Sequence, residues 1–170
     1  KDLAARLEVL MLAVTIELHF PVLEALLAAS DLRLPVLMAV DTGLGREGVR
    51  TPDEAARLAS KIRQSSRMDL LGLFTHEGHA YRTSANETVE ALAANVHEQL
   101  LEFSAAAGGE LPIWPGCSVT AKALAGQPGV KAVRPGSYVF GDLFLCERTG
   151  VMSPAQVALS VLATVIDRPE

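Results

Sequence analysis

The feature that most constrains this chain is a regular alternation of short apolar runs with segments of helical period. "VLMLAVTI" (Val9 to Ile16), "LPVLMAVD" (Leu34 to Asp41), "MDLLGLFTH" (Met68 to His76), "LPIWPGCS" (Leu111 to Ser118) and the shorter "VKAVRPG" (Val130 to Gly136) each read as a strand. Helical segments lie between them. "PVLEALLAAS" (Pro21 to Ser30) carries Pro at its first turn. "TPDEAARLASKIRQ" (Thr51 to Gln64) opens with Thr51 as a cap, Pro52 at the first helical position and Glu54 closing a T-x-x-E capping box. "NETVEALAANVHEQLLEFSAA" (Asn86 to Ala106) offers Asn86 as a cap and repeats Val89, Leu92, Val96, Leu100 and Phe103 at helical spacing. "VTAKALAG" (Val119 to Gly126) is a short helix.

Near-continuous apolar strands alternating with helices imply an α/β fold with a parallel sheet covered by helices. A doubly wound sheet and a (β/α)8 barrel both satisfy the pattern. Both bind ligands at the carboxyl ends of their strands. Chemistry is therefore expected in Asp41 to Gly48, His76 to Tyr81, Gly116 to Thr120 and Arg134 to Tyr138. The last segment, "AQVALSVLATVIDRPE" (Ala155 to Glu170), reads as a strand because Val161, Thr164, Val165 and Ile166 are β-branched.

Composition narrows the classes further. A chain of 170 residues suits one domain, and 49% hydrophobic against 21% charged residues suits a packed core. The net charge of -5 comes with no basic patch, which argues against nucleic acid and anionic membrane as partners. No apolar run reaches the roughly 18 residues of a spanning helix. Cys117 and Cys146 form neither a disulfide framework nor a metal spacing, so a reducing cytoplasm is the expected compartment. The first residue is Lys1, and the chain stops at "VIDRPE" directly after an apolar run. A piece of a longer protein is the expectation.

"VDTGLGREGVR" (Val40 to Arg50) contains Gly43, Gly45 and Gly48 in the spacing G-x-G-x-x-G. A dinucleotide site places the third glycine in the first helical turn and an acid at the end of the next strand. Here the helix start falls at Thr51, and the next strand ends Phe74-Thr75-His76. The pattern therefore does not read as a nucleotide fingerprint. Asp41 and Arg46 project from this loop, either to hold it together or to offer a guanidinium to an anionic oxygen.

"THEGHAY" gathers His76, Glu77, His79 and Tyr81. H-x-x-H in a loop, without a third ligand, is a weak metal signal. An imidazole at a strand end suits stacking on an aromatic ligand. Ser118 and Thr120 in "PGCSVTA", and Gly136, Ser137 and Tyr138 in "VRPGSYVFGD", supply hydroxyls and backbone amides suited to a phosphate or to simple caps. Cys117 reads as a small packed side chain. No lysine has a setting that suggests a Schiff base.

Taken together, "VDTGLGREGV", "GLFTHEGHAY", "PGCSVTA" and "VRPGSYVFGD" resemble, in order, the strand ends of the fold-type III pyridoxal-phosphate enzymes, the alanine-racemase-like barrels. The resemblance is closest to the D-threonine aldolase and D-serine dehydratase branch. It implies part of a (β/α)8 TIM-type barrel over residues 1–155, with 156–170 leading into a C-terminal β-domain. It implies a small D-amino-acid substrate and aldol cleavage, dehydration or racemisation at Cα. By resemblance, Arg46 lies near the cofactor's phenolic oxygen and His76 stacks on its ring. Tyr81 lines the pocket, and Ser118, Gly136, Ser137 and Tyr138 hold the phosphate. Arg134 faces the pyridine nitrogen. The family's Schiff-base lysine falls upstream, so its absence from these motifs implies that this piece is inactive alone. A divalent metal, zinc or manganese, would be bound through the C-terminal domain, and the full-length protein would be a homodimer. The competing reading is a non-catalytic phosphate- or nucleotide-binding α/β module.

Overall fold

The computed structural model describes residues 10–30, 32–82 and 88–168. Four strands form one sheet: β1 (Leu12–Val14), β2 (Leu34–Ala39), β3 (Met68–Phe74) and β4 (Ile113–Trp114). Their spatial order is β1-β2-β3-β4, and each neighbouring pair is parallel. A doubly wound sheet reverses its strand order at a switch point, whereas a barrel adds each strand beside the last. The unbroken order selects the barrel, and the sheet is a curled half-barrel.

The helices are α1 (Phe20–Ala28), α2 (Pro52–Gln64), α3 (Val89–Ala106), α4 (Ala121–Leu124) and α5 (Leu143–Glu147). Helices α2 and α3 cover the sheet's outer face, and α4 packs on α3. Val36 and Met38 of β2 pack there with Leu58 and Ile62 of α2 and with Val96 and Leu100 of α3. The alternate residues Leu37 and Ala39 turn inward and form a separate, smaller cluster with Phe74 and Trp114. This period of two is what a parallel strand between two covered faces requires.

Helix α2 begins at Pro52, where Thr51 accepts a hydrogen bond from the Glu54 amide at 3.2 Å. The Glu54 carboxylate reaches back one residue further than a capping box, accepting from the Arg50 amide at 2.6 Å. Helix α3 is capped by Thr88, whose hydroxyl accepts from the Ala91 amide. That corrects the expected cap: Asn86 itself lies outside the described residues, as does Val9 at the start of the first apolar run.

Two expected strands are absent from the sheet. Val130 makes a single parallel bridge to Ile113, although Lys131 and Arg134 still donate to the Ile113 and Pro115 carbonyls, each at 2.9 Å. The segment extends the barrel order but is too short to form a ladder. Residues 157–168 have no regular secondary structure. Ala158 and Leu159 donate only to the Phe140 carbonyl, while Leu162 is fully exposed. β-branched composition cannot make a strand where no described strand edge lies alongside.

Candidate functional site

The carboxyl ends of β2, β3 and β4 open into a cavity of about 260 Å³. Of the residues singled out in the sequence, Arg46, His76, Tyr81, Ser118, Arg134, Gly136 and Ser137 line it. Tyr138 does not. It faces the neighbouring depression beside Pro135 and Met152, and its side chain is exposed. A larger groove of about 800 Å³ lies elsewhere, between α3 and the Val130 segment. Its lining is largely apolar, with Glu110 and Lys131 its only ionisable groups. Convergent polar groups and position at the strand ends, rather than size, make the smaller cavity the candidate site.

The glycine loop forms one wall. Val49 pairs in parallel with Val40, so the loop leaves β2 and returns against it. Asp41 organises the turn by accepting the Gly43 and Gly45 amides, both at 3.0 Å. Burial acts to raise the Asp41 carboxyl. The two amides and the Arg50 guanidinium, 3.3 Å away, outweigh it and hold the group below its usual range. A Cβ on Gly48 would lie 2.7 Å from the Val40 carbonyl carbon and the Asp41 nitrogen, and its φ is +101°. The glycine spacing thus serves loop closure. Arg46 is left to project outward, paired with Glu47 at 2.5 Å and half exposed.

The second wall follows β3. His76 donates from Nδ1 to the Gly116 carbonyl. A carbonyl only accepts, so Nδ1 carries the proton in this bond, which fixes the ring's orientation. Tyr81, on a 3₁₀ turn spanning Gly78–Arg82, packs its ring at 5.8 Å from that of Phe144. Between them Glu77 is fully buried. Its carboxylate accepts from the Gly116 amide at 3.1 Å and the Thr120 hydroxyl at 2.9 Å. Burial pushes the Glu77 carboxyl up, against the pull of those donors and of His76.

The third wall is the turn from Gly116 to Thr120. Cys117 is buried, and burial pushes its thiol up, with the Glu77 charge acting in the same direction. It is a packed side chain rather than an activated nucleophile. The Ser137 hydroxyl donates to that of Ser118 at 3.2 Å, joining this turn to the last loop. Arg134 lies across the Phe74 ring, 5.0 Å from its centre, and donates to the Thr75 carbonyl at 2.8 Å. Burial pushes this guanidinium down from its usual value, while Glu77 and Glu47 act to restore it. A Cβ on Gly116 would sit 2.7 Å from an Arg134 nitrogen, so only glycine lets the guanidinium close over the turn.

Among the described residues no group of three or more His, Cys, Asp and Glu side chains is arranged to hold a metal, and no lysine lines the cavity. No described helix is long and apolar enough to cross a membrane. The sequence places Glu77 among the polar loop residues and offers Thr120 as an anion-binding hydroxyl, but not the bonds that join the two beneath the Gly116 turn. The available signal was a carboxylate directly following a buried strand end, with a hydroxyl four residues beyond Gly116.

A half-barrel whose strand ends bring together two guanidiniums, an imidazole and paired hydroxyls defines a (β/α)-barrel protein with a polar, cation-bearing mouth. The chain belongs to the alanine racemase N-terminal domain family, the fold-type III group, whose family model matches residues 3–143. It is 38% identical over 136 residues to D-threo-3-hydroxyaspartate dehydratase of Delftia sp. (strain HT23), covering 77% of this chain and 36% of that protein. The solved structure of that dehydratase has a TM-score of 0.83 at 30% identity, over 99% of this chain and 45% of the other. D-threonine aldolase from Filomicrobium marinum shares the fold, with a TM-score of 0.72 at 23% identity over 99% of this chain and 42% of that one. The chain spans less than half the length of these relatives.

Proposed function

We propose that this chain forms the phosphate and ring side of a pyridoxal-phosphate site in an enzyme acting on D-amino acids at Cα. The observation that carries the reading is the convergence of Arg46, His76, Tyr81, Ser118, Arg134, Gly136 and Ser137 on one cavity at the strand ends. The donor set fits the cofactor's chemistry. A flat imidazole held by Gly116 suits a pyridine ring. Joined hydroxyls and the adjoining backbone suit a phosphate. Two guanidiniums offset its negative charge. Bound, the cofactor would supply an electron sink for the pair left on Cα when a bond there breaks.

The chain's own groups bind and orient. Arg46, with only Glu47 as partner, is free to turn its fork toward a phenolic oxygen. His76 presents its ring face, fixed by the Nδ1–H bond, so the ring is not spent on proton transfer at that nitrogen. Ser118, Gly136, Ser137 and the Tyr138 amide bind the phosphate; the Tyr138 ring takes no part. Arg134 would face the ring nitrogen in this reading, its guanidinium held over Phe74 and on the Thr75 carbonyl. No lysine lines the cavity and no described cluster suits a metal, so the Schiff-base lysine and a divalent metal such as zinc or manganese would be held by residues other than those described.

The test uses the intact protein that carries this chain. With pyridoxal phosphate it should show the visible band of a lysine-bound cofactor, trapped by borohydride. Assay with β-hydroxy-D-amino acids then separates the reactions. Aldol cleavage releases glycine and an aldehyde, dehydration releases ammonia and an oxo acid, and racemisation gives the product inverted to L at Cα. A protein that neither binds the cofactor nor forms any of these products overturns the reading.

A further inference from the structure

We propose that Glu77 is a positioning residue for the phosphate: its carboxylate brackets the Gly116–Thr120 turn at both ends and so sets the Ser118 hydroxyl and its neighbouring amides. The inference rests on the proposed pyridoxal-phosphate reading and deepens it. One oxygen accepts from the Gly116 amide at 3.1 Å and the other from the Thr120 hydroxyl at 2.9 Å. Both ends of a five-residue turn are thus tied to one side chain on β3's exit. The adjacent His76 holds the Gly116 carbonyl, so consecutive residues grip that glycine through its amide and its carbonyl. Glu77 is entirely buried and does not line the cavity. A carboxylate is a costly way to fill a core position unless its hydrogen bonds are needed. Ser118, mid-turn, meets Ser137 from the opposite loop at 3.2 Å, which leaves little slack in the turn's position.

The experiment compares affinity for pyridoxal phosphate with affinity for pyridoxal, which lacks the phosphate, in the intact protein. Glu77→Met keeps the volume but removes both acceptors. It should lose about tenfold in pyridoxal phosphate affinity while pyridoxal affinity stays within about twofold. Glu77→Gln can still accept from Gly116 and can donate to Thr120, so it should restore most of the phosphate preference. Thr120→Val, nearly isosteric and cutting one tie only, should give a smaller loss in the same direction, and it decides the matter if Glu77→Met does not fold. Wild-type protein with no preference for the phosphate form overturns the pyridoxal-phosphate reading and this inference with it. A wild-type preference that survives in Thr120→Val and in folded Glu77→Met overturns the inference alone. So does a parallel loss of both ligands, or a Gln variant as poor as the Met variant.

Discussion

At the scale of single residues, two glycines of the site are required for different reasons, and their substitution should separate stability from binding. Gly48 sits at φ +101° with backbone atoms of Val40 and Asp41 where a Cβ would go. Backbone cannot step aside, so Gly48→Ala should cost roughly 2 kcal/mol or more in chemical denaturation. At Gly116 the obstacle is the end of the Arg134 side chain. Gly116→Ala should unfold nearly as wild type yet bind pyridoxal phosphate more weakly, because Arg134 is pushed off the Thr75 carbonyl. Two carboxylates should likewise act oppositely with pH. The Asp41 carboxyl, held low in the fold, adds stability above its ordinary value of 3.8, and this is lost as pH falls through the folded value. Glu77, raised by burial, favours the fold below its ordinary value of 4.5 and ceases to do so as pH rises through its folded value. Denaturation followed from pH 3 to 7, on the order of the carboxylate range, should show a shallower acid loss for Asp41→Asn. Glu77→Gln should instead flatten the decline on the rising side. The reverse pattern would contradict the assigned charge environments.

At the scale of elements, what the sequence made legible is what local interactions decide. Thr51, Pro52 and Glu54 fix the start of α2 within four residues, and the helix begins there. Thr51→Ala should cost about 1 kcal/mol, and Thr88→Ala a similar amount at α3, in equilibrium unfolding. An unchanged midpoint for both variants would mean that packing alone sets these helix starts. Asn86 and Thr88 are both good caps, and only tertiary packing decides that α3 starts from Thr88. Strands depend on partners that sequence does not show. Val130 to Val133 has the right residues but secures one bridge, and residues 157–168 secure none. Glu77 illustrates the same limit at the site. Its motif placed it among polar loop residues, yet its role arises from burial beneath a turn some 39 residues later in the chain.

At the scale of the whole molecule, the half-barrel leaves apolar surface that a closed barrel or an added domain covers. Leu18, Val22 and Leu26 near α1 are well exposed, as are Val139, Phe140 and Leu143 beside the last loop. Leu159, Val161, Leu162, Val165 and Ile166 follow along the final segment. Contiguous apolar exposure of this kind drives association in water, and open strand edges add to it. The 170-residue chain by itself should therefore form oligomers whose size grows with concentration in sedimentation velocity. The final segment contributes through side chains alone, since it pairs with no strand. Leu162→Glu combined with Ile166→Glu should then reduce association at equal concentration without moving the thermal midpoint, because neither side chain packs in the core. If association persists unchanged in that double variant, the open barrel edges rather than the final segment are the contact. Charged substitutions at Leu18 and Leu26, on the β1 side of the sheet, should then be the ones that abolish it.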